Sequence, residues 1–322
     1  MLAQSSKTDQ STRRANADRE ELAERIARAL PGDGANEPRP GLQLYRQSTV
    51  GVRAYAFARP AVSIIAQGSK EIWLGPTRFR CDPAHYLITT MALPLASHVV
   101  VASPARPYLS CKLWLDPAVV TSVLVESGFV AARKGDTMLA VDVSPIDASL
   151  LDATLRLVRL IENPSEYRVL APLVTREIVY RLWTGAQGHR MGHLVSGDGS
   201  AHMARAVEGI RENLAKPLRI EAMARKLGMS VSGFHAHFKA ATAMSPLQFQ
   251  KRLRLEEARR LLLSEHADAA EAGYRVGYGD PSHFSRDYKR QFGDAPLRDI
   301  ERIRAAARRP IIDCRGDPIS SV

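Results

Sequence analysis

Apolar residues recur along this chain with three different rhythms. In "REELAERIARALPGDG" Leu22, Ile26 and Leu30 stand four apart, which predicts a short amphipathic helix ending near Pro31 and Gly32. The polar residues before it, 1–17, show no period and are expected to form a disordered tail. From 42 to about 115 the texture changes to short β-branched and aromatic runs, "AVSIIAQ", "EIWLG", "HYLITTM", "HVVVAS" and "YLSCKLWL", separated by Gly, Pro and Asp. Each run is too short for a core helix, and their spacing predicts an antiparallel barrel or sandwich. After Asp116 and Pro117 a helical stretch begins at 119–125. Leu150, Leu151, Leu155, Val158 and Ile161, then Leu170, Val174, Ile178 and Leu182, predict two longer helices broken at Asn163 and Pro164. Such a pair can cap the barrel or meet its twin in a dimer. The Gly-rich stretch "GAQGHRMGHLVSGDGSA", 185–201, is short of large apolar residues and predicts an interdomain linker. Everything after it has helical period.

Within that helical half one phrase is written twice. "GMSVSGFHAHFKAATAMSP" begins at Gly228 and "GYGDPSHFSRDYKRQFGDAP" at Gly277, an offset of 49, after which Ser232, Phe234, Phe238, Lys239 and Pro246 match Ser282, Phe284, Tyr288, Lys289 and Pro296 at an offset of 50. Helix, Gly turn, helix is the helix-turn-helix arrangement, and the two copies are expected at about 219–240 and 268–291. Ala224 and Gly273 let the helices approach, and Gly228 and Gly277 can take the left-handed backbone of the turn. Ser230 is a natural N-cap for the second helix of copy one, as is Asp280, followed by Pro281, in copy two. Phe234 and Phe238, like Phe284 and Tyr288, share one face, which should be core. The opposite face then presents Ser232, His235, Ala236 and Lys239 in copy one, and Ser282, Ser285, Arg286, Lys289 and Arg290 in copy two. On that face Arg can bond guanine O6 and N7 together, whereas Lys mostly finds phosphate. Joined by a helix at 245–263, two such readers would enter successive major grooves about 34 Å apart.

Composition adds to this picture. The chain has 322 residues, room for two domains, and a net charge of +11. Residues 201–322 hold 22 Lys and Arg against 15 Asp and Glu, a bias that suits a polyanionic partner. No apolar run reaches the roughly 20 residues of a membrane span and no signal segment is present, so a cytoplasmic protein without membrane contact is expected. Cys81, Cys111 and Cys314 have no regular spacing, and neither a disulfide framework nor a zinc motif follows. His85 and His98 form no HxH pair, and His235 and His237, two apart on a helix, point to different faces, so no metal or other cofactor is expected. His189 and His193 are expected to be solvent-exposed in the linker. With no GxSxG, HExxH or P-loop there is no catalytic candidate. In "YLSCKLWL" Leu109, Cys111 and Leu113 alternate onto one face; if that face points into the barrel, the three line an effector pocket.

These residues resemble the AraC/XylS-type transcription regulators. The likeness is carried by "IEAMARKLGMSVSGFHAHFKAATAMSPLQFQKRLRLEEARRLL" and "RVGYGDPSHFSRDYKRQFGDAPLRDI" over roughly 201–303, and by "PAVSIIAQGSKEIWLG", "CDPAHYLITTMALP" and "ASPARPYLSCKLWLDP" in the N-terminal half. It implies an α+β chain: a small cupin-like β-barrel with helices over 18–184 that senses a ligand or dimerises, the linker, an all-α DNA-binding domain over 202–304, and a tail at 305–322. The DNA-binding residues so implied are Ser230, Ser232, His235, Ala236, Lys239, Pro281, Ser282, Ser285, Arg286, Lys289 and Arg290. Implied partners are double-stranded operator DNA, an unidentified small-molecule effector and a second copy of the chain, with RNA polymerase as a further candidate. Two positions depart from the family pattern. Ala236 replaces a longer polar residue, which leaves Arg286 the foremost candidate for direct base reading, and Gly273 replaces Ala at up to about 1 kcal/mol in helix propensity. A barrel enzyme with a DNA-localising half, or an architectural DNA binder without effector, are the alternative readings.

Overall fold

The computed structural model describes residues 2–128, 138–191, 194, 199–264 and 268–307. The chain divides into two compact units: residues 1–208 with 220–246, and residues 209–219 with 247–322. Cys314, His193 and most of the expected C-terminal tail lie outside the described residues.

The first unit opens with helix α1 (Leu2–Ala29), which continues back through the stretch expected to be disordered. Its tertiary contacts begin before residue 18: Arg14 reaches Asp152 at 3.6 Å, and Ala15 packs against the core. Nine strands follow: β1 (Gly34–Arg39), β2 (Leu42–Gln47), β3 (Ala54–Ala58), β4 (Ala61–Gln67), β5 (Ser69–Leu74), β6 (Thr77–Cys81), β7 (His85–Thr89), β8 (Leu93–Val101) and β9 (Tyr108–Trp114). Helix α2 (Pro117–Glu126), capped by Asp116, leads to β10 (Val141–Pro145), then α3 (Ala148–Arg159), α4 (Pro164–Thr184) and the short α5 (Gly188–Met191). The strands form two antiparallel sheets, one of six in the order β1-β2-β9-β4-β7-β10 and one of four in the order β3-β8-β5-β6.

The sequence period explains the layering. Leu22 and Ile26 of α1 and Leu150, Leu151, Leu155 and Val158 of α3 are buried in one cluster with Leu42, Leu44, Val62, Ile64, Leu109, Cys111 and Leu113 of the six-stranded sheet. The helical stripe therefore lies on one face of that sheet, where removal of apolar area from water is the main source of stability. Glu21 of α1 ties the layer at its edge, accepting from Arg25 at 2.8 Å and from Arg159 of α3 at 2.5 and 2.8 Å.

The expected linker is shorter than its composition suggested. Gln187 and Arg190 are buried, and Arg190 pairs with Asp142 of β10 at 2.6 Å while also bonding Gln187 and the Leu139 carbonyl. A buried guanidinium needs such partners, and their provision by β10 folds residues 187–191 onto the sheet domain. His189 is exposed, as read from the sequence.

Beyond this point come α6 (Gly199–Glu212), α7 (Ile220–Lys226), α8 (Val231–Thr242), α9 (Pro246–Ser264), α10 (Ala269–Arg275), α11 (Pro281–Phe292) and α12 (Pro296–Ala307). Helices α7 and α8 belong to the first unit; α10, α11 and α12 belong to the second.

Candidate nucleic-acid interface

In the first helix-turn-helix, α7 ends at a turn where Gly228 has φ 67°, the left-handed region that glycine enters without strain. The Ser230 hydroxyl then accepts from the Gly233 N–H at 3.1 Å and starts α8. Phe234 and Phe238 are fully buried with ring centroids 5.6 Å apart. With that face committed to the core, Ser232, Ala236 and Lys239 are exposed, and His235 is half-buried, edge-on to Phe234 at 6.3 Å. The second helix-turn-helix repeats the plan. Gly277 has φ 91°, and the Asp280 carboxylate accepts from Ser282 N–H at 2.6 Å and His283 N–H at 3.3 Å, with Pro281 in the first turn. Tyr278, Phe284, Tyr288 and Phe292 form a ring ladder with successive centroids 5.4, 5.6 and 4.5 Å apart. Gly273 has a packing reason: a Cβ there would stand 3.0 Å from the buried Phe284 ring.

On the outer face of α11, Ser282, Arg286, Lys289 and Arg290 are exposed and Ser285 is half-buried. The cations are not equivalent. Arg290 pairs with Asp287, which also takes Lys251 and the Tyr278 hydroxyl. Arg286 has no carboxylate partner among the described residues, so its guanidinium keeps its charge and its fork for another partner.

What holds α11 in place was not visible in the motif. Asp299 of α12 is fully buried and accepts from Arg259 of α9 at 2.7 and 2.8 Å, from the Tyr288 hydroxyl at 2.9 Å and from Arg302 at 2.5 Å. Burial and the Asp299 charge push the Tyr288 phenol well above its usual range, so it stays a donor. At an offset of 50 the first copy has Phe238 for Tyr288 and Phe249 for Asp299, both fully buried. That coupled change from two apolar to two polar residues was the available signal. Arg254 of α9 is also committed to structure, donating to the carbonyls of Leu214, Ala215, Lys216 and Gly277 at 2.8–3.1 Å.

The effector-pocket expectation needs correcting. Leu109, Cys111 and Leu113 do share a face, but it is the face beneath α1 and α3, not the one turned to the four-stranded sheet. Burial pushes the Cys111 thiol up to about 12, which leaves it an inert apolar group. Among the described residues no group of three or more His, Cys, Asp or Glu could hold a metal ion, and no helix is long and apolar enough to cross a membrane.

Two contacts in the first unit link the sheet domain to the first reader. The β5–β6 turn at Gly75 lies against Ala243 and Met244, at the C-terminus of α8, and the Ala140 N–H donates to the Ala241 carbonyl at 3.0 Å.

Comparison with known proteins agrees with this geometry. The family described as AraC-type transcriptional regulator N-terminus matches residues 38–190, and a helix-turn-helix domain family matches residues 223–302. The HTH-type transcriptional activator RhaS of Salmonella schwarzengrund is 29% identical over 163 residues, 50% of this chain and 58% of the relative; RhaS of Salmonella arizonae matches to the same extent. The match thus spans little more than half the length of these curated relatives. Among solved structures, ToxT from Vibrio cholerae superposes with a TM-score of 0.53 at 10% identity, covering 81% of this chain and 97% of ToxT. A ToxT structure bound to an unsaturated fatty acid gives 0.52 at 10% identity, covering 82% and 96%. At that identity the likeness is one of fold: an antiparallel-sheet domain followed by a helical helix-turn-helix region.

Proposed function

We propose that this chain, which belongs to the AraC-type transcription regulators, binds operator DNA through α8 and α11 and adjusts that binding to a small molecule received by its sheet domain. The observation that carries the reading is the pair of helix-turn-helix units with identical division of labour. In each, an aromatic pair is spent on the core and a polar, cationic face is left to solvent. One such face would be ordinary; two, built on the same caps and turns 50 residues apart, make a reader. We assign direct base reading to Arg286, phosphate contact to Lys239 and Lys289, and shorter polar contacts to Ser232, His235, Ser282 and Ser285. Ser230 and Pro281 act by starting the reading helices, and Ala236 leaves the first helix with less to read by.

Regulation follows from differential affinity: a ligand favours whichever arrangement it binds better. The Gly75 turn at the end of β5, against the C-terminus of α8, offers a route for that preference. The relatives' names make activation the sign we assign. We also assign dimerisation to α4, where Val169, Leu173 and Tyr180 share a face and are 67%, 61% and 49% exposed. An apolar stripe of this kind fits a second copy of itself. The fatty acid in ToxT is a precedent for a ligand in this fold, and no catalytic step is part of the reading.

Genome-wide mapping of binding sites, followed by mobility-shift assays on the mapped operator, tests the proposal. Arg286→Ala is expected to lose about 1–3 kcal/mol at one base position, with discrimination there relaxed. A loss spread evenly over all sequences would make Arg286 a phosphate anchor, and the absence of any preferred site would sink the reading.

A further inference from the structure

The two faces of the six-stranded sheet have opposite chemistry. One is apolar and covered by helices. On the other, cross-strand register sets Gln43, Lys112 and Ser63 in one row and Tyr45, Ser110 and Ile65 in the next. From the facing sheet, Lys70 of β5, in register with Cys81 and Val99, brings its ammonium 5.6 Å from the centroid of the Tyr108 ring. Polar groups on an interior face are costly unless something satisfies them. Tyr108 is fully buried, and among the described residues its hydroxyl makes no well-formed hydrogen bond, with Ser110 and Lys70 as its polar neighbours. Neither Lys70 nor Lys112 meets a carboxylate at ion-pair distance among the described residues.

The other titratable groups around Lys70, namely Tyr45, Tyr108 and Cys81, are all raised by burial and stay neutral. Among the described residues, no carboxylate acts on Lys70 or on Lys112. Burial, and then the charge of Lys70, push Lys112 down to about 8. Both lysines are half-buried.

Taking the sheet domain as the effector sensor, we infer that Lys70 and Lys112, with the Tyr108 hydroxyl, receive the carboxylate of a small organic acid held between the two sheets. Two ammonium groups and a phenol supply point charges and one donor, without the guanidinium fork that favours phosphate. Ile65 and Ile72, the latter on the same face of β5 as Lys70, are the buried apolar side chains beside this group.

The test uses the full-length protein with Lys70→Met and Lys112→Met, which remove the charge and keep an aliphatic stem. Thermal unfolding is followed with benzoate, decanoate, inorganic phosphate and the uncharged benzamide. A carboxylate is expected to raise Tm by about 5 °C at about 100 times its Kd. Benzamide should do nothing, and each variant should lose the response while unfolding no earlier than the wild type. In the wild type alone, the Lys112 side-chain NMR titration should move upward from about 8 when the acid binds. Stabilisation by phosphate only, an equal response to benzamide, a response retained in both variants, or no response and no Lys112 shift with either carboxylate would each overturn the inference. Operator mobility shifts on the same samples separate the two readings. Retained DNA binding without an acid response defeats the ligand inference alone, whereas a wild type that binds no operator defeats the regulatory reading.

Discussion

At the scale of single residues, the repeat shows its inequality in two backbone and charge details. Each reading helix ends in a left-handed residue: Gly293 with φ 89° after α11, but Ala243 with φ 57° after α8. A Cβ in that region costs roughly 1–2 kcal/mol, partly offset by the extra freedom glycine loses on folding. Ala243→Gly should therefore stabilise the protein by about 0.5–1 kcal/mol in chemical denaturation, and a loss would mean that the alanine methyl contributes packing worth more than its strain. Glu21 makes a second residue-scale case. Hydrogen bonds from Arg159 and then Arg25 hold its carboxyl down from an ordinary 4.5 to about 2. A depressed carboxylate stabilises the fold above its unfolded pKa, and the benefit disappears as pH falls from about 4.5 through about 2. Because the side chain is 32% exposed, solvent screening limits the effect. We expect Glu21→Gln to cost about 1 kcal/mol at pH 7 and nothing near pH 2, read from denaturation midpoints at both pH values.

At the scale of elements, α11 is fixed by more than its aromatic ladder. Arg259, Asp299, Arg302 and Tyr288 put a charged network where the first copy has phenylalanines. A buried pair of this kind adds little net stability over an apolar pair of similar volume, but removing one partner leaves the other charge stranded. Asp299→Asn should destabilise the second unit by about 3–5 kcal/mol, and the double variant Arg259→Met/Asp299→Leu should recover much of it. Additive losses in the double variant would show that the residues act independently. The network also orients the helix: the Tyr288 hydroxyl can reach Asp299 only if α11 keeps the rotation that leaves Arg286 outward.

At the scale of the whole molecule, the proposed function joins a sheet domain, a pair of readers and a second copy of the chain. The exposed stripe on α4 makes the last element testable. Leu173→Glu would place a charge in the proposed apolar seam, so sedimentation should report a dimer for the wild type and a monomer for the variant, with unchanged helicity and weaker binding to a two-site operator. A wild type that is monomeric at working concentration would remove the stripe from the argument.

Much of this was legible in the sequence because the deciding interactions are local. N-caps at Ser230 and Asp280, left-handed turns at Gly228 and Gly277, and aromatic residues four apart on one helix face all act within a dozen residues. Their spacing therefore predicts both helix-turn-helix units and which residues face solvent. The same holds for α3 and α4, separated by the Asn163 cap. What only the tertiary structure decided are choices between equivalent local options. Alternation in "YLSCKLWL" divides Leu109, Cys111 and Leu113 from Tyr108, Ser110 and Lys112, but a strand with both faces interior does not say which face meets helices and which meets the other sheet. The apolar stripes of α1 and α3 settle it, covering the cysteine face and leaving Lys112 opposite Lys70. In the same way, Arg190 in a Gly-rich stretch looks like linker until β10, paired with β7, brings Asp142 to it. Local geometry reads off a sequence; the partner that arrives from 48 residues away has to be placed by the fold.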